Sequence, residues 1–186
     1  MSSELLQKAI KCLAISDVYL RDTRVTFYND FDPTIADQSL HTMLRFSASK
    51  IERLDAEPVA IEKDKKQMVK LVRIHTIAGL RFLSGELSEE AQKNPDELAK
   101  HMRAEIIAFF VSEYRVTCDD IGKDAVEEFA RRNVAYHVWP YWREYAQNVC
   151  NRTHLPAVIM PMFQLKPTSK GTDAILVDSS NRKNQE

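Results

Sequence analysis

The sequence predicts an α+β fold in which a long four-stranded antiparallel sheet is followed by two helices. After a short N-terminal segment, four stretches rich in β-branched and aromatic residues follow one another, and the two long helical segments come only after them. Strands followed by helices are typical of an antiparallel sheet with its helices grouped together. A chain of 186 residues, 44% apolar and 28% charged, is sufficient for one domain with a core.

The N-terminal part is predicted to be a short helix that leads into the first strand. Residues 3 to 12 have Ser3 as a candidate cap and apolar residues at helical spacing. The extended stretch "LAISDVYLRDTRVTFYND" begins at Leu13. The segment "FDPTIADQ" is predicted to be a loop, because Asp32 precedes Pro33 and is disfavoured in a helix.

The second and third strands follow this loop. In "SLHTMLRFSASKIERLD" apolar and polar residues alternate, which is typical of a half-buried strand. One face carries Leu40, Thr42, Leu44, Phe46 and Ala48, and the other carries His41, Arg45, Ser47 and Ser49. The third strand is "QMVKLVRIHTIAGLRFLSG", where Gly79 predicts a bulge or a close backbone approach.

The fourth strand is "RAEIIAFFVSEYRVTC", preceded by a polar loop that could hold a helical turn or two. Its middle, Ile106 to Val111, is apolar on both faces, so we expect it to be covered from both sides. Residues 122–139 are predicted to form the first long helix, with Asp124 as its cap. Pro140 is predicted to start a second helix that runs to about Arg152.

The chain is therefore divided into three parts. Residues 1–12 form the N-terminal helix, and residues 13–163 form the main domain, which ends in the extended segment "LPAVIMPMF". Residues 164–186 are polar and lack periodicity, so we expect a disordered tail.

The predicted sheet is too long for one chain to cover. Strands of roughly 15 residues would extend about 50 Å at about 3.3 Å per residue. Two helices of about 12 residues would each extend only about 18 Å. A symmetric homo-oligomer is the expected way to bury the remaining apolar surface.

Several function classes are disfavoured by composition. A net charge of −1 provides no basic field for nucleic acid or an anionic membrane, and no apolar run approaches the length of a membrane span. Because the N-terminus does not resemble a signal peptide, we expect a cytoplasmic protein. The three cysteines, Cys12, Cys118 and Cys150, have no metal-site or disulfide spacing and are expected to be reduced and mostly buried.

No catalytic or metal-binding pattern is found in the sequence. The five histidines lie on separate elements, and no phosphate-binding glycine loop or nucleophile motif occurs among the four glycines. We therefore expect no enzyme activity, no cofactor and no metal.

The segment "HVWPYWREYAQNVCNRTHLP", residues 137–156, holds both tryptophans of the chain. Residues 141 and 145 share one helical stripe, and residues 142, 146 and 149 share its neighbour. We assign Trp139 and Tyr141 to packing, because Trp139 precedes the fixed turn at Pro140. Trp142 is assigned to an open groove with Leu155, Val158 and Met160, and Tyr145 is assigned to the boundary.

The same segment resembles the signature near the C-terminus of the SecB family of export chaperones. The matching residues are Pro140, Tyr141, Arg143, Glu144, Arg152, Leu155, Pro156 and Pro161. The order of four strands and two helices is also that of the family, so the resemblance covers roughly residues 13 to 163.

The resemblance implies a homotetramer, built as a dimer of dimers, with grooves that bind unfolded polypeptide clients. In the family these grooves are lined by the loop after the first strand, the second helix and the segment after it. The corresponding residues here are Phe31, Ile35, Trp142, Tyr145, Val149, Leu155, Val158 and Met160.

The chain departs from the family pattern in two places. Thr153 lies in a turn that often carries glycine, and the tail balances acidic with basic residues. Export members use an acidic tail and an acidic sheet surface to contact the translocation motor SecA, so the tail puts docking to SecA in doubt.

These features predict an ATP-independent holdase, a chaperone that keeps clients unfolded without hydrolysing nucleotide. A chaperone dedicated to the antitoxin of a toxin–antitoxin system is the alternative within the family. A small-molecule-binding β-domain is the alternative from another class.

Overall fold

The structure, a computed structural model, describes residues 2–35, 39–56, 68–160, 163–168 and 171–176. Four long strands form one antiparallel sheet in the order β1-β4-β3-β2. The strands are β1 Leu13–Phe27, β2 Leu40–Ala56, β3 Val69–Ser84 and β4 Met102–Val116. The predicted fold class is confirmed, and so is the strand length, since the strands have 15 to 17 residues.

Helices both precede and follow the sheet. The helices are α1 Ser2–Cys12, α2 Glu89–Lys93, α3 Pro95–His101, α4 Lys123–Arg132 and α5 Val134–Arg152. The two short helices occupy the polar loop between β3 and β4, as predicted. Since α1 begins at Ser2, Ser3 lies inside its first turn and not at the cap position.

A second, two-stranded sheet lies in the C-terminal region that was predicted to be disordered. Strands β5 Phe163–Thr168 and β6 Gly171–Leu176 pair antiparallel. The prediction of disorder is wrong for these residues, because a hairpin can form from backbone pairing without a strong apolar periodicity. Residues 177–186 lie outside the described part of the chain.

The break between α4 and α5 lies at Asn133, and Pro140 lies inside α5. The prediction of a helix start at Pro140 is therefore wrong. Proline inside a helix removes one backbone hydrogen bond and disfavours helix at the residue before it. Burial of Val138, Trp139 and Trp142 against the sheet offsets this cost, so tertiary packing overrides the local preference.

The start of α4 also differs from the prediction. Its cap residue is Gly122, which has no side chain to bond the first turn. Asp124 lies within that turn, where a carboxylate interacts favourably with the positive end of the helix dipole.

The helices that follow β4 pack on one face of the sheet. The side chains of Ile106, Ala108 and Phe110 are buried under α5. Those of Ile107 and Phe109 alternate to the other face and are only half-buried. The prediction that this part of β4 is covered from both sides therefore holds at Val111, which is buried on the second face, but not at Ile107 and Phe109.

The main core lies between the sheet and α5. It consists of Val18, Ala78, Leu80, Phe82, Ala104, Ile106, Ala108, Phe110, Val138, Trp139, Trp142, Ala146, Cys150, Leu155 and Met160. A second core lies between one end of the sheet, α1 and α4. It consists of Leu6, Ala9, Cys12, Leu13, Val72, Ile74, Tyr114, Ile121, Ala125, Val126, Phe129, Ala130 and Val134.

The alternation predicted for β2 is confirmed, but the role predicted for Gly79 is wrong. Leu40, Leu44 and Phe46 pack against the main core. Gly79 pairs in regular register with Arg45, and an added Cβ would lie 3.6 Å from the Arg45 Cβ, an ordinary contact. The register shift of β2 lies instead between Ala48 and Lys50.

Cys12 and Cys118 form a disulfide with a Cα–Cα distance of 5.2 Å, and Cys150 is free and buried. The prediction of three reduced thiols is therefore wrong. The pair was hidden by a sequence separation of 106 residues. The two positions meet because β1 and β4 are neighbours and Leu13 pairs with Val116.

Candidate functional site

The two tryptophans of α5 both belong to the main core. Trp139 is almost fully buried beside the Phe46 ring, as predicted, with the ring centroids 6.3 Å apart. Trp142 is 0% exposed, so its assignment to an open groove is wrong. Tyr141 is 50% exposed, so its assignment to packing is also wrong.

The inward stripe of α5 is the one that carries the small residues. Ala146 and Cys150 follow Trp142 along this stripe and are buried with it. Small side chains let a helix approach a sheet closely, whereas the neighbouring stripe of Tyr141 and Tyr145 carries larger ones. Side-chain size along the two stripes was the sequence signal that could have separated them.

Seven of the eight predicted groove residues meet at the main core. Leu155 and Met160 are buried members of it, as is Trp142. The remaining four are half-buried and pack against it: Phe31, Tyr145, Val149 and Val158. Ile35 is separate from this group, and its side chain is 68% exposed.

The residues at the margin of the main core join three segments of the chain. Phe31 belongs to the loop after β1, Tyr145 and Val149 to α5, and Val158 to the segment after α5. The structure therefore brings the predicted positions together, although it closes over Trp142, Leu155 and Met160. Their contact with clients stays a prediction.

Tyr145 connects α5 to the edge strand β1. The Thr23 hydroxyl donates to the Ile107 carbonyl at 3.0 Å, and the Tyr145 hydroxyl is bonded to the Thr23 Oγ1. Since the Thr23 proton is used by Ile107, the Tyr145 hydroxyl is the donor in this second bond. The Tyr145 ring lies 6.3 Å from that of Trp142, so this bond holds Tyr145 over the buried tryptophan.

The Trp142 indole has a polar atom without a partner. Its Nε1 is fully buried, and this N–H has no hydrogen-bond acceptor in the described part of the chain. A buried N–H without an acceptor costs about 1–3 kcal/mol. Any movement that lets an acceptor reach this atom would therefore be favourable.

The loop after β1 borders an open pocket of about 510 Å³, the loop pocket. Its walls are Asn29, Asp30, Phe31, Asp32, Ile35, Ser39, Ser84 and Arg103. The Phe27 ring stacks near that of Phe31, with centroids 6.4 Å apart, and Phe27 is itself exposed.

Two polar residues hold this loop in shape. The Asn29 side chain donates to the Met102 carbonyl at 3.0 Å, and Asn29 and Asp30 have φ of 55° and 53°. Asparagine and aspartate tolerate this left-handed region better than most residues. The Thr34 hydroxyl and N–H both donate to Asp32 Oδ1, and these bonds hold the pKa of Asp32 below its usual range.

A second concavity, the edge cleft, lies between β1 and the outer side of α5. It has a volume of about 640 Å³ and is lined by Ile15, Val18, Tyr136, His137, Trp139, Pro140, Tyr141, Arg143, Glu144 and Gln147. Its large side chains are unusually accessible, with Ile15 47% and Tyr136 54% exposed. Neither residue stands out in the sequence. Ile15 has the pattern of an ordinary strand residue, and Tyr136 has the spacing of an inward-facing helix residue.

A buried polar pair lies at the base of the edge cleft. The Tyr114 hydroxyl lies 2.9 Å from His137 Nδ1. Burial raises the pKa of Tyr114 and lowers the pKa of His137, so both side chains are neutral near pH 7. Tyr114 therefore donates and the imidazole accepts.

The described residues contain no cluster of histidine, cysteine or acidic side chains that could hold a metal ion. Within the same ranges, no helix is both long and apolar enough to cross a membrane. The polar pairs of the second sheet face are ordinary ion pairs, such as Arg73–Glu113 at 2.7 Å and Arg81–Glu105 at 2.6 Å.

The fold matches that of a solved chaperone. No family model matches the sequence, and no curated protein matches it. A SecB-like chaperone of Mycobacterium tuberculosis, determined in complex with a ChAD peptide from the HigA1 antitoxin, superimposes with a TM-score of 0.59. The match covers 89% of this chain and 100% of that chain, at 19% sequence identity.

This chain has the SecB-like fold. The resemblance seen around Pro140 and Tyr141 is thus supported by an independent comparison of whole structures. The loop pocket and the margin of the main core lie in the regions for which the resemblance to the SecB family predicts groove residues.

Proposed function

We propose that this protein is an ATP-independent holdase that binds unfolded polypeptide clients along the loop pocket and the margin of the main core. The observation that carries the proposal is the meeting of Phe31, Tyr145, Val149 and Val158 at one core margin in a SecB-like fold. These residues offer apolar and aromatic contact without a charged or catalytic group, which suits clients of varied sequence.

The loop pocket would receive the first apolar side chain of a client. Phe27 and Ile35 are exposed beside Phe31, so an aromatic or aliphatic side chain finds contact without any rearrangement. Burial of such a side chain contributes about 1.5–3 kcal/mol.

Deeper binding would require Tyr145 to move. Only one hydroxyl bond, to Thr23, ties its ring to β1, and such a bond contributes about 0.5–1.5 kcal/mol net. Displacing the ring would uncover Trp142, whose free Nε1 could then donate to a client carbonyl. A client side chain and backbone together can therefore offset the lost bond.

We also propose that the protein assembles as a homotetramer, a dimer of dimers. Strand β1 is an edge strand, so the N–H and C=O groups along one side have no neighbouring strand in the described part of the chain. The edge cleft adds exposed apolar side chains beside that edge. The half-covered second sheet face and these groups are the surfaces that association would bury.

A chaperone dedicated to an antitoxin is a second candidate. The chaperone of similar fold was determined with an antitoxin peptide, and this observation favours such a role as much as a role in protein export. Docking to the SecA motor stays a prediction.

The test is suppression of aggregation of several unrelated unfolded proteins at near-stoichiometric ratio, without nucleotide. A general holdase protects all of them, an antitoxin chaperone protects chiefly its antitoxin, and a small-molecule-binding β-domain protects none. The double variant Phe31→Ser/Ile35→Ser should weaken apolar-peptide binding by about 1–2 kcal/mol, the scale of an interface hot spot.

The matched control is Ile10→Ser, which removes an exposed apolar side chain of similar size from α1, outside the main core. It should leave peptide binding unchanged. An equal loss of peptide binding in both variants would overturn the proposed site. A wild-type protein that does not suppress aggregation would overturn the proposed function.

A further inference from the structure

The disulfide between Cys12 and Cys118 lies at the junction of α1 with the rest of the molecule. Cys12 is the last residue of α1, and Cys118 follows the end of β4. At this junction the Thr117 N–H donates to the Cys12 carbonyl at 2.9 Å. The covalent bond therefore joins the end of α1 to the segment after β4, directly beside the first pair of the β1–β4 ladder, Leu13 and Val116.

The docking of α1 rests on one apolar face. Leu6, Ala9 and Cys12 form its buried face, at spacings of three residues, and they pack into the second core. An isolated helix shorter than about 12–15 residues is marginal in water, so α1, with 11 residues, depends on this docking.

Under α1 lies a continuous apolar surface from other elements. Ile121, Ala125, Val126 and Phe129 come from α4 and the turn before it, and Tyr114 comes from β4. All of them are almost fully buried. If α1 undocked, this surface would be exposed to solvent next to the sheet.

We propose that the Cys12–Cys118 pair is a reversible redox clamp that controls the docking of α1 and thereby the exposure of the second core. In the oxidised protein α1 is held down. In the reduced protein α1 undocks for part of the time and uncovers an apolar surface distinct from the loop pocket.

The chemistry is thiol–disulfide exchange with a low-molecular-weight disulfide, RSSR. Cys118 is half-buried, whereas Cys12 is buried, so the Cys118 thiolate attacks first and forms a mixed disulfide with release of RS⁻. The Cys12 thiolate then attacks the Cys118 sulfur and releases the second RS⁻. Two protein thiols are oxidised, RSSR is reduced to two RSH, and the reverse reaction undocks α1.

The first test measures amide hydrogen exchange by segment in the oxidised and reduced full chain. Reduction should accelerate exchange in α1 by about ten-fold or more, with β3 and β4 unchanged, because local opening affects only the amides that it exposes. Equal α1 exchange in the two states would overturn the proposal. So would an equal acceleration throughout the sheet, since that would show a general loss of stability.

The second test uses Cys118→Ser, which keeps the buried Cys12 in place. The variant should show the fast α1 exchange of the reduced wild type, and a reductant should change it no further. Reductant-sensitive α1 exchange in this variant would contradict the proposal.

The third test titrates the pair with buffers of reduced and oxidised glutathione, and thiol labelling counts the free thiols. The wild type should pass from one to three free thiols within the range of these buffers. A pair that stays oxidised throughout is a structural disulfide, which would overturn the clamp.

Added client capacity in the reduced state rests on the proposed holdase function. It is read separately, as binding of an apolar dye and then of an unfolded protein. Dye binding should rise at least about two-fold on reduction, because undocking exposes the apolar surface. If dye binding rises on reduction but the protein binds no unfolded client in either redox state, the holdase function is refuted and the clamp remains supported.

Discussion

At the scale of single residues, burial divides the aromatic side chains of α5 into a packing set and a surface set. Trp142 is enclosed by the main core, whereas Tyr141, its neighbour in sequence, is exposed in the edge cleft. The two positions differ by one residue, or about 100° of helical rotation. Aromatic content alone does not tell which stripe packs, because both stripes carry aromatic residues, whereas the small residues that follow Trp142 do.

Trp142→Ala should lower the free energy of unfolding by about 3–5 kcal/mol, because it leaves a large cavity in the main core. Tyr141→Ala should change it by less than about 0.5 kcal/mol, the usual range for exposed positions. Urea unfolding of both variants measures the difference. A reversed order would mean that the helix faces the sheet with the other stripe.

His137 should make stability depend on pH in the mildly acidic range. Burial holds the pKa of His137 below its ordinary value of 6.5, so the unfolded chain takes up the proton first as the pH falls. Its contribution is fully present above about pH 6.5 and is lost as the pH falls toward the lower folded-state pKa. Protonation also removes the acceptor for the Tyr114 hydroxyl.

Urea midpoints at several pH values between 7.5 and 5 measure this loss. His137→Gln keeps an acceptor for Tyr114 but does not titrate, so its stability should change less over this range. His41→Gln, at an exposed position of β2, is the matched control and should retain the slope of the wild type. An unchanged slope in His137→Gln would refute the assignment.

At the scale of elements, the strands were predictable and the helix boundary was not. The alternation of Leu40, Leu44 and Phe46 fixes which face of β2 is buried, and the structure follows it. The helix start predicted at Pro140 is wrong, because the burial of the neighbouring residues outweighs a local preference of a few kcal/mol. Cys12 and Cys118 could not be paired, because their proximity depends on β1 lying beside β4, which the sequence does not state.

Pro140→Ala should stabilise the protein by about 1–3 kcal/mol, since it restores an N–H donor to the interior of α5 at an exposed position. Thermal unfolding measures the gain. Gln147→Ala, at another exposed position of the same helix, should change stability by less than about 0.5 kcal/mol. A loss of stability in Pro140→Ala would show that the proline itself is required for the packing of α5 on the sheet.

At the scale of the whole molecule, the described residues leave at least three surfaces incompletely covered. These are the free edge of β1, the edge cleft and the second face of the sheet, where Ile107 and Phe109 are only half-buried. The sequence indicated this shortage through strand length, and the structure shows where it lies. Apolar surface next to an open strand edge favours pairing with another chain. Association and client binding therefore both depend on exposed apolar surface.

Ile15→Lys should reduce the size of the assembly, because it places a charge beside the open β1 edge and in the edge cleft. Sedimentation velocity at micromolar concentration should show a smaller species, with the circular dichroism of the folded chain retained. Met68→Lys, an exposed apolar position just before β3, is the control and should sediment as the wild type. If Ile15→Lys leaves the sedimentation coefficient unchanged, or if the wild type is itself a monomer, then the edge cleft is not an interface between copies of this chain.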